Sequence, residues 1–428
     1  MQREKGKREI TEEIVDQKCL YIISFPAYNE LLASAILFHN LSQHKFDVKL
    51  HITPYIQKEA FSNLDADTPI MLMGFSNKSL DNLKDYFKYI MLLEHAKPPR
   101  REVKRIMGGY SISKAENFCI HAIKLLDKII GSKNVDTKAY ITLLESLAFS
   151  ELSDREREII KNIEKTGSME SKITVKLFGF EYKPLCQALH DTVRPFIPEL
   201  TGNIENCMSF IRSIGINNIY IKSTQIPEEA LTNLVKSLFT KLKKYSKKER
   251  KPSEILGEVF YLSKTNILAD IRERASALKY ILDVKGPEIV ALHCISDYYL
   301  GLMVKIFEKL PPLLAEAYKN TNEVKYLDFK IIYVHRLKEK PPLTLLYDAL
   351  ADLGLLDESR SIILEKHEEL YTIPHYVLRN IIVDYDVFLT KNKPLKEIIQ
   401  SINNYSLSLS GDSDLMKLIK NIRSWEMK

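Results

Sequence analysis

Leu20-Tyr21-Ile22-Ile23-Ser24-Phe25-Pro26-Ala27-Tyr28-Asn29-Glu30-Leu31-Leu32-Ala33-Ser34-Ala35-Ile36-Leu37-Phe38-His39-Asn40 reads as a buried strand, a tight turn and an amphipathic helix. A turn that closes a strand and opens a helix is where open α/β sheets build their sites. Between Ser24 and Glu30 this turn holds no aspartate, no histidine and no glycine. It therefore offers neither a paired set of metal ligands nor a loop that cradles phosphate.

Outward from this stretch, short apolar runs predict further strands at Val48–Thr53, Pro69–Gly74 and Tyr89–Glu94, besides Cys19–Ser24 itself. Helical patterns fill the gaps at Glu30–His44 and Ser79–Phe87. Parallel strands need crossover helices, so this order predicts an α/β fold with a doubly wound parallel sheet. Ser113–Ile130, Thr137–Ser150 and Glu156–Glu164 continue as helices.

A second region begins near Gly167, with a strand at Thr174–Phe178 and helices interrupted by Pro184, Pro195 and Pro198. Ala230–Tyr245 reads as an amphipathic helix running into Lys247-Lys248-Glu249-Arg250-Lys251-Pro252, expected to be an exposed linker or insertion tip. Asn266–Leu282 and Glu288–Leu310 are long helical patterns, the second expected to stop at Pro311-Pro312. From Tyr326 the α/β pattern returns. Strands are expected at Phe329–His335, Arg360–Leu364, Ile381–Leu389 and Tyr405–Leu409, and helices at Leu343–Leu353 and Asp412–Trp425. The division expected is 1–165 as an α/β domain, 166–325 as a helical connecting region and 326–428 as a small α/β domain.

With 428 residues, 45% apolar and 28% charged, the chain has the composition of a soluble globular protein of two or three domains. No run is long enough to span a membrane, and no apolar stretch of signal-peptide type follows the charged opening, so a cytoplasmic protein is expected. Cys19, Cys119, Cys186, Cys207 and Cys294 are scattered through apolar segments and read as small buried hydrophobes. His39, His44 and His51 lack the spacing of ligands on one face, and Gly108-Gly109 reads as a hinge. A net charge of +6 permits contact with nucleic acid or an acidic partner.

The turn and the helix start at Ala33-Ser34-Ala35-Ile36-Leu37 resemble the DHH phosphoesterases, whose first motif is His-x-Asp-x-Asp-Gly. The resemblance places the family histidine on Phe25, its aspartates on Ala27 and Asn29, and its glycine on Glu30. The family aspartate after the third strand falls on Gly74, and its Asp-His-His on Glu94, His95 and Ala96. A further aspartate falls near Ser150 or Glu151. Two-metal phosphoesterases hold their ions about 3.5–4 Å apart with carboxylates and imidazoles. Of the matched residues, Glu94 and His95 alone could ligate, too few for a pair of ions. The resemblance therefore implies a kept scaffold with its chemistry erased: no metal site, no catalytic residue and no cofactor. Phe25 is expected to be a buried packing residue.

Farther on, Phe178-Gly179-Phe180-Glu181-Tyr182-Lys183-Pro184-Leu185 and Arg194-Pro195-Phe196-Ile197-Pro198-Glu199-Leu200-Thr201-Gly202-Asn203 resemble the archaeal RecJ-like branch of the family. Gly257–Leu262 and Asp270–Leu278 fit the same branch. Active members continue through Asn-Ala-Cys-Gly-Arg, where this chain has Lys279-Tyr280-Ile281-Leu282-Asp283. They also end with a Gly-Gly-x-His loop, absent after Leu407–Leu415. The last region would correspond to a truncated DHHA1 module. The branch includes a catalytically inactive replication protein, the archaeal counterpart of the cell division control protein subunit of the CMG helicase. That resemblance implies a scaffold that binds GINS and supports MCM at the fork, with single-stranded DNA as a further contact and a nucleoid-associated location. Arg100, Arg101, Lys104 and Arg105 form a basic knot, which reads either as a solvated loop or as a contact for DNA phosphates or an acidic partner. Two rivals stand beside this reading: a single-strand-specific exonuclease or phosphodiesterase with unusual metal ligands, and a stand-alone single-stranded DNA-binding protein.

Overall fold

Six strands, β1 (Cys19–Ser24), β2 (Asp47–Ile52), β3 (Ile70–Met73), β4 (Ile90–His95), β5 (Arg105–Met107) and β6 (Tyr110–Ala115), form one sheet in the order β2-β1-β3-β4-β6-β5. β1 pairs in parallel with β2 and β3, β3 with β4, and β4 with β6, while β5 runs antiparallel beside β6. The α/β fold with a doubly wound parallel sheet is the one the alternation predicts. Strand order reverses between β1 and β3, so the crevice at their carboxyl ends is the natural place for a site. The computed structural model describes residues 10–56, 61, 63–95, 105–107, 110–115, 117–150, 152–263, 265, 267–296, 298–335, 338–357, 359–382, 384–391, 399–402 and 405–426. Gly108-Gly109, Ala96, Arg100, Arg101, Lys104 and Glu151 lie outside them.

Two compact units emerge. One comprises Met1–Ser146, Lys285–Asp297 and Glu369–Lys428, the other Leu147–Val284 and Tyr298–Glu368. Each draws on segments that the sequence reading assigns to consecutive domains.

In the first unit, helix Tyr28–Gln43 buries Leu31, Leu32, Ile36, Leu37 and Leu41, and also Glu30, Ser34, His39 and Asn40. A helix enclosed on every side shows little amphipathic contrast, and this one differs from the expectation in that way. Ser113–Ile130 is not one helix. Its first residues complete β6, and the helix starts at Phe118, where the Asn117 side chain accepts the Ile120 N–H at 3.1 Å. That asparagine cap fixes the boundary. Ser79–Phe87 is likewise not a regular helix: a 3-10 turn covers Asn77–Asn82, capped by Ser76.

The second unit contains the antiparallel pair β7 (Met169–Val175) and β8 (Leu256–Leu262). It also holds β9 (Thr321–Tyr326), antiparallel to β10 (Phe329–His335), which is parallel to β11 (Ser361–His367). Its core gathers around helix Glu228–Tyr245, whose Leu234, Leu238 and Leu242, spaced by one turn, are fully buried with Leu185, Leu189, Cys207 and Ile211. The segment after that helix is not a free tip. Arg250 is buried between Glu254 (2.6 Å) and Asp352 (3.3 Å), and the Lys247 N–H donates to the Leu353 carbonyl at 2.9 Å. Pro311-Pro312 does not stop its helix either: Tyr298–Lys319 runs through both. Met303, Phe307, Leu310 and Leu314 bury one face of it, and tertiary packing outweighs the two missing N–H groups. Gly202 makes room for it, since a Cβ there would stand 2.3 Å from the Pro311 carbonyl oxygen.

The chain returns to the first unit with β12 (Leu370–Pro374), β13 (Ile399–Ile402) and β14 (Ser406–Ser410), β14 pairing antiparallel with both others. Ile381–Leu389 is not a strand. Helices His375–Ile381 and Tyr385–Lys391 meet there across Asp384, whose φ of +54° turns the chain. A short apolar run reads alike in both secondary structures. No helix among the described residues is long and apolar enough to cross a membrane. All five cysteines are free, and all but Cys19 are buried.

Candidate functional site

The carboxyl ends of β1, β3 and β4 lie side by side. The Phe25 N–H donates to the Met73 carbonyl and the Gly74 N–H to the Leu93 carbonyl, both at 2.9 Å. Phe25 is 0% exposed, as the packing reading expects, and meets Phe75 and Tyr385 edge-on at 6.1 and 6.4 Å between centroids. Over its ring, 4.3 Å from the centroid, lies the Arg379 guanidinium, carried by helix His375–Ile381. Arg379 Nη1 donates to Glu30 Oε1 at 2.5 Å, and Glu30 is itself buried in the first turn of helix Tyr28–Gln43. A carboxylate there also suits the positive end of the helix dipole. Gly74, with φ of +81°, leaves the space this pair needs. A Cβ at that position would stand 2.7 Å from Glu30 Cγ and 3.0 Å from Arg379 Nη1.

A second bracket lies next to the first. The Ser76 hydroxyl donates to Asp384 Oδ1 at 2.5 Å, Lys78 pairs with Asp384 at 2.6 Å, and Ser79 donates to Asp386. Burial raises the Asp386 carboxyl above its ordinary range, while Ser79 and the Ser76 N–H hold it down. Burial also pushes the Tyr385 phenol well up, and its hydroxyl lies 2.8 Å from His375 Nδ1.

A two-metal centre of the DHH phosphoesterase kind does not fit these residues. At the switch point stand an aromatic ring, a glycine that cannot take a side chain, and a guanidinium already paired with the nearby carboxylate. Among the described residues, no three His, Cys, Asp or Glu side chains gather as a metal-holding group. Ala27 caps helix Tyr28–Gln43 through its backbone, and Asn29 is exposed, its carbonyl facing the Cys119 thiol at 3.8 Å. Glu94 accepts the Asn77 N–H at 3.4 Å. His95 ends β4, and Arg105 begins β5.

The RecJ-like phrases converge in the second unit. Lys183 lies 2.5 Å from both Asp191 and Glu273, and Tyr182 donates to Glu273. Asp270 pairs with Arg272 at 2.5 Å and accepts the Gly179 N–H at 3.1 Å. Phe178 stacks between Phe149 and Phe307, at 6.2 and 6.3 Å, with Arg272 5.1 Å from its own ring. Burial pushes the Glu273 carboxyl up to about 7 against the pull of Lys183, with Asp270 adding to the rise. This network is buried, and within it Arg272 Nη1 has no hydrogen-bond partner among the described residues.

In the first unit, His293 is buried with Nδ1 2.7 Å from the Val290 carbonyl and Nε2 2.8 Å from Glu145. Both ring nitrogens face acceptors, the arrangement of an imidazolium. Burial pulls the His293 pKa down, but Cys294 and Glu145 push it up by more, well above its ordinary value.

Reading the sequence missed Arg379, Asp384, Asp386, Glu145 and His293. The available signal was a charge inside an apolar segment, as in Val377-Leu378-Arg379-Asn380-Ile381-Ile382.

Among solved structures, CDC45 from Entamoeba histolytica superposes with a TM-score of 0.64 at 10% identity, covering 98% of this chain and 97% of that one. RecJ from Thermus thermophilus, in complex with Mn2+, gives a TM-score of 0.45 at 10% identity, over 97% of this chain and 53% of the other. Among curated proteins no sequence match is found. The profile of the family described as archaeal Cdc45 matches residues 138–381, more than half of the chain. The chain belongs to the archaeal Cdc45 family, and is thus a replication-related, Cdc45-like protein.

Proposed function

We propose that this protein is a non-catalytic scaffold subunit of the archaeal replicative helicase assembly, binding GINS and supporting MCM at the fork, in the cytoplasm and at the nucleoid. The observation that carries this reading is the filled switch point, where Phe25, Glu30 and Arg379 take the space a two-metal phosphoesterase reserves for ligands and ions. A fold that keeps its sheet without its donor set is useful for its surfaces. Binding free energy then comes from an interface, typically about 1,200–2,000 Å² for a stable partner. Single-stranded DNA is a further proposed contact, through Arg100, Arg101, Lys104 and Arg105.

Size-exclusion chromatography with purified GINS, followed by an MCM unwinding assay, tests the assignment. Co-elution at micromolar concentration and unwinding faster than with GINS alone are expected. Separate elution at low and moderate salt, with no effect on unwinding, would defeat it. Durable Mn2+-dependent cleavage of single-stranded DNA would favour the exonuclease reading instead.

A further inference from the structure

Residues 236–251 read Lys-Ser-Leu-Phe-Thr-Lys-Leu-Lys-Lys-Tyr-Ser-Lys-Lys-Glu-Arg-Lys, eight cations against one carboxylate, in a chain whose whole excess is +6. The structure sorts them. Leu238 and Leu242 turn inward and are fully buried, so the helix presents Lys236, Thr240, Lys243 and Lys244 to solvent at i, i+4, i+7 and i+8. Beyond its end, Lys247, Lys248 and Lys251 are exposed as well, on a segment pinned by buried Arg250. Part of this charge is compensated: Lys241 and Lys244 reach Glu199 at 3.1 and 3.9 Å, and Lys248 reaches Asp352 at 3.5 Å. Lys236, Lys243, Lys247 and Lys251 reach no carboxylate within ion-pair distance among the described residues. Lys243 lies 5.0 Å from the Phe239 ring and Lys244 4.8 Å from the Tyr245 ring.

From this ridge we infer that residues 236–251 form a binding surface for the phosphate backbone of single-stranded nucleic acid. Charge complementarity calls for a polyanion, and the rest of the surface selects among polyanions. Protein interfaces are built around apolar anchors and are depleted in lysine. Every exposed residue of helix Glu228–Tyr245 is polar, and Lys236 and Lys243 stand two turns apart along one line of it, with Lys244 beside them and a rise of about 1.5 Å per residue. A row of point charges without anchors suits a repeating phosphate chain, read without regard to sequence. The proposal rests on the reading of a protein that works on DNA. It needs no partner protein, and the surface is separate in sequence from Arg100–Arg105.

The test is fluorescence anisotropy of a labelled oligothymidylate with the full chain, between about 50 and 200 mM salt. The variant K236Q/K243Q/K247Q/K251Q should bind at least about tenfold more weakly at the low end. It should also flatten the plot of log affinity against log salt by about 3, at about 0.7 per lost phosphate contact on single strands. The arginine version of the same four substitutions should retain binding, and circular dichroism should match wild type in both. Unchanged affinity and slope in the glutamine variant would overturn the ridge, while DNA contact elsewhere survives. Absence of wild-type binding would overturn ridge and DNA contact together, with GINS co-elution still testing the scaffold. Displacement of the DNA by a poly-glutamate peptide at lower concentration than by unlabelled oligothymidylate would overturn it in favour of an acidic protein segment.

Discussion

The Arg379 guanidinium lies 4.3 Å from the centroid of the Phe25 ring. A cation over an aromatic face is held by the ring quadrupole, more strongly when both are out of water. Here the cation also reaches the buried Glu30 carboxylate at 2.5 Å. The three side chains make a packed junction between helix Tyr28–Gln43 and helix His375–Ile381.

Phe25→Ala removes a fully enclosed ring and the surface on which Arg379 rests. The expected loss is about 3–5 kcal/mol, the usual cost of truncating a buried phenylalanine. Urea denaturation measures it, and a change below about 1 kcal/mol would contradict a packing role for Phe25.

Arg379→Met removes the cation that lies 2.5 Å from the buried Glu30 carboxylate, and should cost about 3–5 kcal/mol. Glu30→Met/Arg379→Met removes both charges and should recover most of that loss, because paired buried charges contribute little net stability. A double-mutant cycle by chemical denaturation reads the coupling. Equal losses in the single and double variants would show that the pair is not the unit that matters.

Gly202→Ala should destabilise by about 1–3 kcal/mol, the range for overpacking a filled site. The added methyl would meet the Pro311 carbonyl, and the φ of +70° disfavours any side chain. Thermal unfolding followed by circular dichroism is the check. A melting temperature equal to wild type would mean that helix Tyr298–Lys319 shifts freely at its prolines.

His293 makes stability depend on pH. Its folded pKa is raised, so the folded protein binds this proton more tightly than the unfolded chain does. The stabilisation is complete below the ordinary value of 6.5 and is lost as pH rises through the folded value. Glu273, raised to about 7, acts in the same direction at lower pH, so the informative quantity is the difference from His293→Gln. Urea midpoints from pH 5.5 to 9 should fall for the wild type relative to that variant toward the alkaline end. Parallel curves would contradict a buried imidazolium.

Much of this architecture is legible in local sequence. β1 is readable because Leu20–Ile23 is apolar and ends at Ser24-Phe25-Pro26, and the parallel sheet follows from the helices between short apolar runs. Where local signals conflict, reading fails: Asn117 marks a helix start inside a continuous apolar pattern, and Ile381–Leu389 carries no feature that separates a strand from two short helices. The positions that the DHH resemblance matches, Phe25, Ala27, Asn29 and Gly74, can be read residue by residue. What packs beside them cannot, because Arg379 meets Glu30 only through the fold, and neither residue's neighbours announce the other. The same holds for Glu145 and His293, joined at 2.8 Å across most of the chain's middle.

Glu30 and Arg379 are separated by 349 residues of chain. At a synthesis rate of about 5–20 residues per second, roughly 17–70 s pass on the ribosome between the two. Phe75, on one side of the Phe25 ring, is made early in that interval, whereas Tyr385 and the Arg379 guanidinium, which complete its surroundings, come only near or after its end. The junction at the switch point therefore closes only once helices His375–Ile381 and Tyr385–Lys391 have been synthesised.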